Sequence, residues 1–235
     1  MVITGDGKVL VSHEPWMDFQ STIGPSGKPL SEAAGRALNI FGMPVAAVQR
    51  YRVVAQSGGA TAPKPTLDEV MHAVDAFAEE HGVPVPYFNI EVKSDPAWYG
   101  THQPAPPEYT ALVVKEIERS GLAQRCLIQS FDPAILKQAH RIAPLIPLAL
   151  LVENAEELDA NLALLDFAPA YYSPCFGLID DALVTALRRL GIGLLAWTVN
   201  EERDMRRMLA LGVDGLITDR PAAAMALLAA LQSPA

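Results

Sequence analysis

The chain has 235 residues, 50% of them hydrophobic and 19% charged, with a formal net charge of −9. That apolar content supports one large core and excludes a disordered chain. The acidic balance excludes a phosphate-backbone binder, which must neutralise many phosphates with Lys and Arg, so no nucleic-acid partner is expected. No run of about 18 apolar residues is present to span a membrane, and the N-terminus has no charged-then-apolar export signal, which makes a cytoplasmic location the default expectation.

In chain order, Val2 to Thr4 and Lys8 to Ser12 flank Gly5-Asp6-Gly7, a turn whose glycines tolerate positive φ. The two arms read as a β-hairpin that delivers His13 and Glu14 at its end. Because a hairpin returns the chain to its start, the reading places any segment upstream of Met1 across from His13. Residues 15–65 are turn-rich, with weak helical patterning near Ser31 to Leu38, and read as an inserted loop or subdomain. Thr66 with Glu69 opens a helix that closes at Gly82.

From Ile90 onward, short apolar segments recur: Ile90 to Lys93, Ile128 to Phe131, Ala149 to Val152, Tyr171 to Pro174, Ala196 to Val199 and Leu216 to Asp219. Helical patterns separate them. Asp132-Pro133 opens one, Asn154 with Glu157 opens another, and Gly121, Gly191 and Gly212 close three. The segment Ser94 to Glu108, crowded with Pro, Gly and aromatics, reads as a functional loop. Strands alternating with helices predict parallel βαβ units and an α/β class. The spacing suits a TIM (β/α)8 barrel better than a doubly wound sheet, because no Gly-x-Gly-x-x-Gly follows any strand. Six such strands and a hairpin leave the barrel about two strands short, and both are expected before Met1, within a single domain over residues 1–235. Cys126 and Cys175 lie far apart in apolar surroundings and read as buried free thiols.

Asn89, Glu91 and Lys93 alternate with Phe88, Ile90 and Val92, so one face of this strand carries an amide, an acid and a base. A buried Glu91 must be paired or bind a metal, and barrel active sites gather at strand C-termini. Glu91 and Lys93 therefore read either as a structural ion pair or, preferably, as ligand-binding groups. His13 follows a strand and fits acid/base work if a metal-bound phosphate lies nearby. Trp197 either walls a pocket or fills the core. Asp219 reads as a helix N-cap.

Taken in order, Thr4-Gly5-Asp6-Gly7-Lys8 through His13-Glu14, Asn89-Ile90-Glu91-Val92-Lys93, Gln129-Ser130-Phe131-Asp132, Trp197-Thr198-Val199-Asn200 and Gly212 through Pro221 resemble the glycerophosphodiester phosphodiesterase family. The resemblance covers essentially the whole chain. It implies a barrel enzyme that hydrolyses glycerophosphodiesters to an alcohol and sn-glycerol 3-phosphate in lipid metabolism, using a divalent metal, Ca²⁺ or Mg²⁺, and two histidines. By position it implies Glu91 as a metal ligand, Lys93 as a phosphate contact with a catalytic share, His13 as an acid/base histidine and Trp197 as a wall for the glycerol.

Two departures stand out. The family has His-Asp where this chain has His13-Glu14, and the family's opening His-Arg-Gly and Glu-x-Asp motifs have no counterpart here. The reading thus expects an N-terminally shortened form whose own activity is low. A non-catalytic barrel that binds phosphodiesters is the first alternative, and a Schiff-base aldolase using Lys93 is the second, although a lysine serving that chemistry needs a lowered pKa. The alcohol, the metal and the oligomeric state stay open.

Overall fold

The computed structural model describes residues 1–55 and 59–232, which divide into two compact units, Met1–Ile146 and Pro147–Ala235. The first begins with the expected hairpin, β1 (Val2–Ile3) and β2 (Val9–Leu10), paired antiparallel with Val2 opposite Leu10 and Ile3 opposite Val9. Asp6 organises its turn: Oδ1 accepts from Thr4 Oγ1 at 2.6 Å and from the Val45 N–H at 2.9 Å. Only one of the two glycines acts through its φ, Gly7 at 73°. Gly5 is needed for a different reason. A Cβ there would lie 3.0 Å from Phe41 O and 3.2 Å from Met43 N, so the turn seats directly on the backbone of the following segment.

That following segment is more regular than its composition suggests. It contains β3 (Thr22–Ile23), α1 (Glu32–Ala37), α2 (Val45–Val48), β4 (Arg52–Val54) and β5 (Thr61–Ala62). The three strands form an antiparallel sheet in the order β3-β4-β5, within the segment expected as an inserted loop or subdomain. Strands of two or three residues carry too little alternation to be read from sequence. Val2 and Leu10 of the hairpin share one buried cluster with Met17, Ile40 and Val48. The insertion and the hairpin are therefore built around the same core.

Helix α3 (Leu67–His81) has the capping box expected at Thr66 and Glu69 and a left-handed Gly82 at its end. It leads to β6 (Phe88–Glu91), α4 (Pro106–Ser120), β7 (Cys126–Ser130) and α5 (Pro133–Ile142). Strands β6 and β7 are parallel, with Glu91 opposite Gln129. Ile90 and Val92 are buried while Glu91 and Lys93 are half-exposed, which matches the predicted alternation. Lys93 itself lies two residues beyond the strand.

The second unit alternates β8 (Leu148–Val152), α6 (Leu158–Leu162), β9 (Tyr171–Pro174), α7 (Asp181–Leu190), β10 (Gly193–Ala196), α8 (Glu202–Leu211), β11 (Gly215–Leu216) and α9 (Pro221–Gln232). Its strands pair in parallel in sequence order. All five residues of β8 are buried, as expected of a strand covered on both faces. Helix α6 starts later than Asn154 implied: the Asn154 side chain caps a turn by accepting from the Glu156 N–H at 3.0 Å and joins the buried Asn161. Asp219 is not an N-cap. Arg220 occupies that position before α9, and Asp219 accepts from Asn200 Nδ2 at 2.8 Å.

Cys126 is buried, and burial pushes its thiol up to about 11, whereas Cys175 is only half-buried, contrary to expectation. Among the described residues, no helix is long and apolar enough to cross a membrane. Because the Gly5 turn has no room for a methyl group, Gly5→Ala should cost about 1–3 kcal/mol of stability, measured as a lower urea midpoint at unchanged slope. An unshifted midpoint would mean that the turn is not seated as described.

Candidate active site

The backbone of Val92 and Lys93 is fixed from several sides within the first unit. The Val92 N–H donates to Gln129 O at 2.9 Å, and Ser130 Oγ donates to Val92 O at 2.8 Å. The Lys93 N–H donates to Met1 O at 3.1 Å. Tyr109, fully buried on α4, lies with its hydroxyl 2.6 Å from Met1 O and 3.1 Å from Lys93 O. Burial, with the charge of Glu91 adding to it, raises the Tyr109 pKa, so the hydroxyl stays protonated and able to donate.

This anchoring aims three side chains at one another. Lys93 Nζ lies 2.7 Å from Glu91 Oε1 and 2.9 Å from His13 Nε2. His13 Nδ1 lies 2.7 Å from Glu14 Oε1. A carboxylate can only accept and an ammonium can only donate, so the imidazole carries its hydrogen on Nδ1 and presents Nε2 as an acceptor. The Glu91 and Lys93 side chains are 23% and 17% exposed, whereas His13 is 76% exposed. The outermost member of the series is thus the one most open to a ligand.

Glu91 Oε1 is closed to solvent and receives no hydrogen bond of acceptable angle; its contact with Lys93 is an ion pair without hydrogen-bond geometry. That oxygen is already charge-compensated by Lys93, and a carboxylate is the kind of oxygen donor that a hard cation takes. Among the described residues, no group of three or more His, Cys, Asp or Glu is gathered that could hold a metal. Glu91 therefore fits as one ligand of a cation and does not make a complete site.

Asp132 caps α5, as its place before Pro133 predicts, by accepting from the Ala134 N–H at 2.9 Å. Its second oxygen has a larger part. Oδ2 accepts from Ser94 Oγ at 2.5 Å and from the Tyr99 hydroxyl, while Gln103 Nε2 donates to Ser94 Oγ at 2.8 Å. Burial, reinforced by the hydrogen bond and charge of Asp132, raises the Tyr99 pKa. The buried Asp132 carboxylate thereby ties down the segment that follows Lys93, a role for which Gln-Ser-Phe-Asp at a strand end was the available signal. The same segment is braced by Trp98, packed edge-on against Trp16 at 5.8 Å.

His13, Glu91 and Lys93 are thus brought together. Trp197 belongs to the second unit and follows β10 directly, where its Nε1 donates to Ser173 O at 2.8 Å. Asn200, Thr218 and Asp219 form a hydrogen-bonded group in that unit, with Thr218 Oγ1 3.0 Å from Asn200 Oδ1.

Residues 1–223 match the model of the glycerophosphoryl diester phosphodiesterase family, and the chain belongs to that family. A glycerophosphodiester phosphodiesterase from Caldanaerobacter subterraneus subsp. tengcongensis is 32% identical over 57% of this chain and 51% of its own length. One from Bacillus subtilis is 28% identical over 67% of this chain and 51% of its own. The chain thus spans about half the length of these curated relatives. A solved structure from Silicibacter pomeroyi DSS-3, assigned as a candidate glycerophosphoryl diester phosphodiesterase, is 27% identical with a TM-score of 0.83, covering 98% of this chain and 81% of that one. The fold is α/β of the TIM-barrel type that these neighbours share.

Asp132→Asn would keep the cap oxygen but offer an amide to the Ser94 and Tyr99 hydroxyls, which then need new partners. The variant should lose about 1–3 kcal/mol in urea unfolding and show faster amide exchange over residues 94–103. Unchanged exchange there would contradict the role assigned to Asp132.

Proposed function

We propose that this chain carries out the metal-dependent hydrolysis of glycerophosphodiesters to an alcohol and sn-glycerol 3-phosphate, a step of phospholipid metabolism. The observation that carries the reading is the contact series Glu91, Lys93, His13 and Glu14 just past the C-terminal end of β6, the end at which barrel active sites form. The names of the curated relatives support it.

In this reading Lys93 is the phosphate contact. A phosphoryl oxygen that takes the Lys93 ammonium frees His13 Nε2, which then accepts or returns a proton at an ester or water oxygen. Glu14 holds the Nδ1 hydrogen and so keeps Nε2 available. A carboxylate that acts by orienting can be Glu as well as Asp, which accounts for the His13-Glu14 departure. Glu91 both pairs with the Lys93 side chain and contributes one ligand to a divalent cation, Ca²⁺ or Mg²⁺ by its preference for oxygen donors. Such a cation, when bound, would offset the charge that builds on the phosphoryl oxygens. Trp197 enters as an apolar wall for the glycerol on its family match alone. The ammonium's contact with Glu91 speaks against a Schiff-base aldolase, which needs the neutral amine.

In an active preparation, chelation should abolish hydrolysis of glycerophosphocholine and added Ca²⁺ or Mg²⁺ should restore it. Full turnover without metal contradicts the reading. His13→Ala should lower kcat by about 10²-fold or more with little change in unfolding midpoint, since the side chain is exposed. Unchanged turnover would make His13 a structural residue.

A further inference from the structure

A cavity of about 430 Å³ opens beside His13 on the side of the small antiparallel sheet, a volume in the range of ligand pockets. Val53 and Ala62, direct cross-strand partners on β4 and β5, build one wall. Val11 and Pro65 build another, held together by the Val11 N–H donating to Pro65 O at 2.8 Å. His13 belongs both to this cavity and to the Lys93 contact. We propose that the cavity receives the alcohol half of the diester and selects uncharged, apolar alcohols over quaternary ammonium ones. This rests on the phosphodiesterase reading of His13, Lys93 and Glu91 and names the substrate class of that site.

The chemistry of the walls decides which half of the substrate enters. The lining is mostly Val, Ala and Pro, and of its polar members Ser12 is already bonded to Lys64 and to Glu14 O, so glycerol hydroxyls would find few free partners there. An alkyl or aryl group gains by the same burial. The cavity also contains a cation. Lys64 lines it, with Nζ donating to Ser12 Oγ at 2.9 Å. Burial lowers the Lys64 pKa against the opposing pull of Asp18 and Glu14. A quaternary ammonium group would share the cavity with the Lys64 side chain and would find no aromatic cage, because the described lining contains no Phe, Tyr or Trp.

The test compares kcat/KM for three sn-glycerol 3-phosphate esters, those of methanol, benzyl alcohol and choline. The benzyl ester should exceed the choline ester by about tenfold or more. Ala62→Trp, which crowds the cavity, should remove most of that advantage, read as the ratio of the benzyl to the methyl ester. Lys64→Met should raise the choline ester relative to the methyl ester. Should Ala62→Trp fail to fold, benzyl alcohol added to the unaltered protein should inhibit methyl ester hydrolysis competitively, whereas choline should not. If the methyl ester is hydrolysed but the choline ester is preferred to the benzyl ester, or folded Ala62→Trp leaves the benzyl-to-methyl ratio unchanged, the cavity assignment falls and the phosphodiesterase reading stands. If none of the three is hydrolysed, that reading fails and the cavity assignment fails with it.

Discussion

The arrangement of the site depends on a single ammonium group held between a carboxylate and an imidazole. Lys93 touches Glu91 Oε1 on one side and His13 Nε2 on the other, at 2.7 and 2.9 Å. The ammonium is within reach of the imidazole nitrogen as a donor and of the carboxylate as an ion-pair partner, so one charged group links the other two. The geometry cannot be left to a flexible lysine stem. It is imposed by a backbone pinned to Gln129, Ser130, Met1 and Tyr109 before the side chain begins. Asp132 extends the same constraint into the loop that follows.

The hairpin and the insertion solve the complementary problem of placing His13. Its position follows from a two-residue strand pair too short to be stable alone. The insertion supplies what is missing: Phe41 and Met43 receive the Gly5 turn, Val45 donates to Asp6, and Ile40 and Val48 complete the core under Val2 and Leu10. The same segment then contributes Val53, Ala62 and Lys64 to the cavity beside His13. Support for the acid/base residue and the walls next to it therefore come from one stretch of chain.

Much of this was legible in the sequence wherever the signal is local. The alternation of Asn89, Glu91 and Lys93 with Ile90 and Val92 gave the polar face, and Thr66 with Glu69, Asp132 with Pro133, and Gly82, Gly121, Gly191 and Gly212 marked helix ends that the structure reproduces. The family resemblance, carried by motifs at strand ends, held for the same reason. What could not be read is long-range or too short to be periodic. His13 and Lys93 are 80 positions apart, so nothing local announces their contact. Strands β3 to β5 are two or three residues long and leave no pattern. Gly5 looked like a φ requirement and is a packing requirement, which only the approach of Phe41 reveals.

The central claim is that Lys93 donates to an unprotonated His13 Nε2 while Glu14 fixes the hydrogen on Nδ1. Nitrogen-15 NMR of histidine-labelled protein at about pH 8, where an ordinary imidazole is neutral, reads the tautomer directly. The account predicts a protonated Nδ1 and an unprotonated, hydrogen-bonded Nε2 for His13, with Lys93→Met moving the Nε2 resonance toward that of a free acceptor nitrogen. A protonated Nε2, or a resonance indifferent to Lys93→Met, would contradict it.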